Sequence, residues 1–150
     1  MTPSPSVAFL HLGICVRDIE RSTLFYTEAL GFQFERSLEI GPPFHEIIEL
    51  PTIKAKANFL RLGAMTIELL EYVEPGFIGP AERRPMNQLG YTHMTLVVDD
   101  LAAVTQRIEA YGGQVLTERK VSNPMGEFVF GADPDGVRVE LWQRPKDAAG

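Results

Sequence analysis

His11-Leu12-Gly13-Ile14-Cys15-Val16-Arg17-Asp18-Ile19 returns later in the chain as His93-Met94-Thr95-Leu96-Val97-Val98-Asp99-Asp100-Leu101. Each copy opens on a histidine and alternates in the period-two manner of a β-strand. Leu10, Leu12, Ile14 and Val16 fall on one face, and His11, Gly13 and Cys15 on the other. In the second copy Met94, Leu96 and Val98 oppose His93, Thr95 and Val97. Each histidine therefore points away from the most apolar face of its strand. Asp18 and Asp100 stand where a helix N-cap is wanted, because a carboxylate there accepts bonds from otherwise unpaired backbone N–H groups. Each copy closes on a glutamate in a strand-like run, Thr66-Ile67-Glu68-Leu69 and Arg138-Val139-Glu140-Leu141.

Between these landmarks the order of elements also repeats. Leu101, Val104, Ile108 and Tyr111 follow a helical stripe that stops at Gly112-Gly113, and Ile19, Phe25, Tyr26, Ala29 and Leu30 lead to Gly31 in the same way. Candidate strands follow at 33–38, 46–50, 58–62 and 65–72 in the first unit and at 114–121, 128–131 and 137–143 in the second. Asp133-Pro134-Asp135-Gly136 is a turn signal before the last strand. The fold class is thus α+β, with two tandem βαβββ modules in a single domain. Module one covers about 7–73, a Pro- and Gly-rich linker about 74–90, module two about 91–143, and a loose tail 144–150.

With 150 residues, 45% of them hydrophobic and 23% charged, the chain has the composition of a soluble globular protein. Its net charge of −6 argues against nucleic acid and anionic lipid, which need clustered Lys and Arg. No apolar run approaches the roughly 20 residues of a membrane span. A single cysteine, Cys15, fits a reducing compartment, so cytoplasmic residence and a small-molecule partner are expected.

Glu68 and Glu140 lie in the middle of strands whose opposite faces are apolar. An unpaired buried carboxylate there would cost at least several kcal/mol. With His11 and His93 they form a two-histidine, two-carboxylate set suited to a divalent metal: Ni, Zn, Co, Fe or Mn. Tyr72, Arg138 and Trp142 share the strand faces of the glutamates and are candidate pocket residues. His45, in the longer insert of the first unit, reads as an exposed loop histidine or a lid contact. Cys15 reads as a small packed side chain. Asp99 reads as a solvated residue.

These segments resemble the vicinal oxygen chelate superfamily, which includes glyoxalase I, methylmalonyl-CoA epimerase, extradiol dioxygenases and bleomycin-resistance proteins. The resemblance runs from about Ala8 to Trp142. It rests on His11, Val16 to Ser22, Phe25-Tyr26 with Leu30-Gly31-Phe32, Ile67-Glu68-Leu69, His93, and Asp133-Pro134-Asp135-Gly136 with Val139-Glu140-Leu141. It implies a curved, cavity-enclosing mixed sheet with helices outside, and metal ligands at His11, Glu68, His93 and Glu140. It further implies a metal-dependent isomerase, epimerase or lyase acting on a small oxygen-chelating carbonyl compound, with Glu140 or Glu68 as the base, and a homodimer. Glyoxalase I places an arginine and an asparagine, both contacting glutathione, where this chain has Cys15 and Tyr72, which argues against glutathione. An Fe(II) extradiol-type dioxygenase and a metal-free drug-binding protein are the alternatives. The fourth ligand, Glu68, counts against the dioxygenase.

Overall fold

A computed structural model describes residues 6–146; the chain ends expected to be loose lie outside the described residues at 1–5 and 147–150. Module one runs β1 (Leu12–Cys15), α1 (Ile19–Leu24) prolonged by a π-helical turn (Phe25–Ala29), β2 (Gln33–Ile40), α2 (His45–Ile48), β3 (Lys54–Leu62) and β4 (Met65–Glu74). Module two runs β5 (His93–Val98), α3 (Leu101–Ala110), β6 (Gln114–Val115), a 3-10 turn (Thr117–Arg119), β7 (Val121–Asn123), β8 (Gly126–Ala132) and β9 (Arg138–Gln143). The architecture is α+β, with one mixed sheet per module. The first sheet has the order β1-β4-β3-β2, and the second β5-β9-β8-β6 with β7 beside β8.

The helix starts form as the aspartates dictate. Asp18 accepts from the Arg21 amide and Asp100 from the Ala103 amide, each at 2.9 Å. A second tie repeats too, since Glu71 accepts from the Ile19 amide and Gln143 from the Leu101 amide. Glu71 and Gln143 each lie three residues beyond a candidate glutamate, so the start of each helix is fixed to the strand that carries Glu68 or Glu140. In both modules the first strand pairs in parallel with the last, which sets Leu12 beside Ile67 and Thr95 beside Glu140.

Two local expectations change. The candidate strand at 46–50 is the short helix α2, ended by Glu49 in the left-handed region at φ 61. Its adjacent Ile47-Ile48 pair flanked by acids lacks the alternation that a strand needs. The preceding Pro42-Pro43-Phe44 run feeds a turn closed by the Phe44 amide donating to the Gly41 carbonyl. The segment at 114–121 divides into β6, the 3-10 turn and β7, because the Arg119 amide turns back onto the Leu116 carbonyl.

Ile67, Leu69, Val139 and Leu141 are fully buried, on the sheet faces opposite the glutamates. They join α1, the π-turn and α3 in one apolar cluster that draws on both modules. The modules are also clasped by the turn before β9. Asp133 accepts from the Tyr26 hydroxyl at 3.0 Å, while Asp135 accepts from the Arg17 amide, the Arg17 Nε and the Arg21 guanidinium. The main chain of Asp135 and of Val137 donates to Asp133 Oδ1.

Burial pushes the Asp133 carboxyl from its ordinary 3.8 up to about 6, against the hydrogen bonds from Val137, Asp135 and Tyr26, which pull it down. Between about pH 4 and 6 the folded chain keeps a proton that the unfolded chain has released. The contribution of Asp133 to stability therefore falls as pH rises through that window, by an amount on the order of 3 kcal/mol. Asp133→Asn keeps the shape without the titration. Its stability relative to the parent, measured by urea unfolding, is expected to improve between pH 4.5 and 7.5; an equal difference at both pH values would contradict this account.

Candidate functional site

The parallel pairing of first and last strands brings each histidine to a glutamate. His11 Nε2 lies 3.2 Å from Glu68 Oε2, and His93 Nε2 lies 3.6 Å from Glu140 Oε2. All four side chains are partly shielded and open on the face opposite the apolar core. Each imidazole also meets a phenylalanine edge-on: Phe59 of β3 at 5.4 Å from His11 and Phe130 of β8 at 5.0 Å from His93. Phe59 pairs across the ladder with Glu68 and Phe130 with Glu140, so the aromatic support follows from register. The two modules thus build the same His–Glu–Phe unit.

The units differ in their polar support. In module two the Thr95 hydroxyl donates to Glu140 Oε2 at 2.7 Å, and Thr92 Oγ1 lies 2.9 Å from His93 Nδ1. In module one the place of Thr95 is taken by Gly13, where an added Cβ would meet Leu70 Cδ1 at 3.5 Å and Glu68 Oε2 at 3.9 Å. Glu140 is tethered by a hydroxyl, while Glu68 faces a bare backbone.

Two donors on one cation, each about 2.1 Å from it, lie ~3.0–3.4 Å apart. Each His–Glu pair is close to that spacing, and its nitrogen and oxygen donors suit a first-row divalent ion. Among the described residues no group of three or more His, Cys, Asp or Glu side chains gathers in this way. A single chain presents two half-sites, not one four-donor cluster. A cavity of about 470 Å³ adjoins the second half-site and is lined by Gly13, Cys15, Arg84, Tyr91, His93 and Arg138, among others.

The sequence model of the Glyoxalase/Bleomycin resistance protein/Dioxygenase superfamily matches residues 8–141, a span that includes both His–Glu pairs. The chain belongs to this superfamily. It is 32% identical over 140 residues to a lactoylglutathione lyase of Salmonella typhimurium, covering 93% of each chain. It is 30% identical, with the same coverage, to one of Escherichia coli O157:H7. Its fold matches that of a glyoxalase family protein from Bacillus cereus with a TM-score of 0.84 at 17% identity, covering 96% of this chain and 98% of the other. Against the trypanothione-dependent glyoxalase I of Leishmania major the TM-score is 0.64 at 24% identity, covering 92% and 87%.

In this glyoxalase-superfamily chain the remaining candidates have distinct surroundings. Tyr72 lies on the Glu68 face; burial raises its hydroxyl pKa, helped by Cys15 and Glu68. Trp142 stacks on Phe128 at 5.5 Å, donates from Nε1 to the Met125 carbonyl, and carries the Arg144 guanidinium over its ring, so it serves packing. His45 begins α2 with its Nδ1 buried and without a hydrogen-bond partner, and it does not line the cavity beside His93. Arg138 does line that cavity. Phe59, Phe130, Thr92 and Thr95 were not read from the sequence as site residues, although Thr95 was placed on the His93 face. The equal placement of the two phenylalanines one strand before each glutamate is the signal that identifies them.

Cys15 is exposed at the cavity wall and not packed as the sequence suggested, because the His11 face of β1 opens away from the core. Partial burial still pushes its thiol up, and the Asp135 carboxylate adds to this. At pH 7.5 its reaction with a disulfide reagent such as DTNB is expected to run several-fold slower than that of a free cysteine and to accelerate with pH. A rate matching free cysteine or exceeding it would show an activated thiol instead.

Proposed function

We propose that this chain is a glyoxalase-type lyase or isomerase, dependent on a divalent metal, that moves a proton beside the carbonyl of a small oxygen-chelating compound. The observation that carries this reading is the repeated His–Glu pair, with both pairs near the spacing of two ligands on one ion. Relatives named lactoylglutathione lyase support the reaction class. His11, Glu68, His93 and Glu140 would hold the ion, which when bound supplies Lewis-acid support for negative charge developing on a substrate oxygen.

Two half-sites in one chain favour a homodimer in which each complete site takes one pair from each subunit. Both β1 and β5 are edge strands. Val7, Phe9 and Leu10 before β1, and Val97 within β5, are exposed apolar residues beside those edges. Apolar surface next to an unpaired strand edge is what a second subunit covers.

The residues divide the work according to their support. Glu140 takes the proton on its carboxylate, while the Thr95 hydroxyl fixes one oxygen and so limits the orientations of the other. Thr92 and Phe130 hold the His93 ring. If Thr92 accepts from Nδ1–H, Nε2 is left as a bare donor toward the ion. Phe59 holds His11 in the same manner. Cys15 and Tyr72 replace the glutathione contacts of glyoxalase I, which favours a substrate other than a glutathione adduct.

Protein purified without added metal is expected to contain about one Ni, Zn, Co, Mn or Fe per chain by elemental analysis, and to run at twice the chain mass in light scattering. His11→Ala and His93→Ala should each lose the metal. Glu140→Gln should keep the fold and lower turnover by about 10²- to 10⁴-fold. Iron accompanied by oxygen uptake on catechols would instead favour a dioxygenase, and failure to bind metal even after reconstitution would favour ligand sequestration.

A further inference from the structure

Each half-site sets a phenylalanine against its histidine, and in the first a cation stands behind that ring. The guanidinium carbon of Arg36, in β2, lies 4.2 Å from the centroid of the Phe59 ring, close enough for the cation to be drawn to the π-face. Phe59 in turn meets the His11 imidazole edge-on at 5.4 Å. A chain of contacts thus runs from the outer strand of the first sheet to a candidate metal donor.

A break in strand register creates this arrangement. Phe34 pairs with Leu60 and the next pair joins Arg36 to Phe59, so Glu35 is an extra residue in β2. In an unbroken ladder Glu35 would stand opposite Phe59, and Arg36 opposite Asn58, whose side chain meets Thr23 of α1 on the other face of the sheet. Bulges of this kind re-aim side chains. Here the bulge exchanges a carboxylate for a guanidinium beside the ring, and Arg61 draws the Glu35 carboxylate away at 2.8 Å. Among the described residues Arg36 has no carboxylate within ion-pair distance, which leaves its charge to the ring.

Module two is built differently. In the place of Arg36 stands Leu116, whose amide donates to the Phe130 carbonyl. Phe130 stays partly exposed, whereas Phe59 is 4% exposed beneath its cation. The residue before His93 is Thr92, with a hydroxyl 2.9 Å from Nδ1; the residue before His11 is Leu10, which has no polar side-chain group to offer. The two histidines therefore need different supports, and the bulge supplies the one that module one lacks.

We propose that Arg36 is a positioning residue for the first half-site: its guanidinium fixes the Phe59 ring, and the ring fixes the His11 imidazole beside Glu68. In this role Arg36 touches neither ion nor substrate. A donor already held in its binding orientation loses less freedom when it takes up an ion. The consequence for metal affinity rests on the metal-dependent reading above; the hold on the imidazole does not.

The test reads the imidazole itself. The chain has three histidines, so metal-free protein labelled at histidine gives three sets of ring resonances, assigned by single histidine substitutions. At alkaline pH, where imidazoles are neutral, Arg36→Met should move the His11 set in the direction that Phe59→Leu moves it, while the His93 and His45 sets stay in place. Arg36→Lys keeps a cation within reach of the ring and should restore most of the parent positions. Chelator competition with Zn²⁺ should show binding weakened about three- to tenfold in Arg36→Met. Adding Arg36→Met to Phe59→Leu should weaken it little beyond Phe59→Leu alone, because the cation acts through the ring. If Phe59→Leu misfolds, the comparison of Arg36→Met with Arg36→Lys decides, since Arg36 is exposed on an edge strand where both substitutions leave the core intact. His11 resonances that keep the parent positions in Arg36→Met, or that move equally in Arg36→Lys, would overturn the proposal. Full additivity of the two losses of Zn²⁺ affinity would overturn it as well. A parent that binds no Zn²⁺ would remove the metal-dependent reading, while the His11 shift would still support or overturn the role of Arg36.

Discussion

The turn Asp133-Pro134-Asp135-Gly136 governs more of this molecule than any other segment of its length. It carries a buried carboxylate that holds Tyr26, and a second carboxylate that holds Arg21 of α1 and Arg17 of the connection between β1 and α1. The Asp135 side chain is 6% exposed, whereas Arg17 and Arg21 remain near 40%, so the pair keeps its cations hydrated while shielding the anion. Such an arrangement avoids much of the desolvation that weakens fully buried ion pairs. Because β9 starts only two residues later, the contacts that join the modules also fix where Glu140 emerges. The apolar cluster shared by both modules lies beside them and completes the join.

The periodic parts of this structure were legible in the sequence because they depend on near neighbours. Alternation in β1 and β5, N-caps at Asp18 and Asp100, and the buried faces around Ile67 and Val139 need only a few residues of context. The helix α2 escaped because a short acid-flanked apolar run has no period long enough to tell strand from helix. The grip of Asp135 on Arg17 escaped for a different reason. The local pattern declares a turn and says nothing of partners more than a hundred positions away. The four candidate donors were legible as residue types, but a repeat tells what each module brings, not which module completes it. That is why the sequence leaves open whether a site lies within one chain or between two, while in the folded chain the four donors stand as two pairs.

The pairs are equal in their backbone frame and unequal in their surroundings. Parallel pairing of a first and a last strand produces both, and the phenylalanine from the strand beside the last one follows automatically from ladder register. Divergence is confined to positions whose change leaves that frame intact. Gly13 against Thr95 is such a position, since either residue can occupy a strand. The hydroxyl gives Glu140 a fixed hydrogen-bond donor, and its absence leaves Glu68 with more freedom of rotation. Two carboxylates in similar frames are in this way held differently, one by a side-chain hydroxyl and the other without one.

The linker adds an inequality of a different kind, because it has no counterpart in the repeat. A connection between modules needs only enough length to span them, yet this one is tied to the start of β9 twice, by the close backbone approach at Gly136 and by the Arg138 side chain on the Arg84 carbonyl. Both contacts are to main-chain groups of the linker, so they fix its course past the start of β9. The linker borders the cavity beside His93 through Glu82, Arg84 and Pro85. The repeated modules thus account for the chemistry that both halves share, and the segment outside the repeat accounts for how one half is set apart from the other.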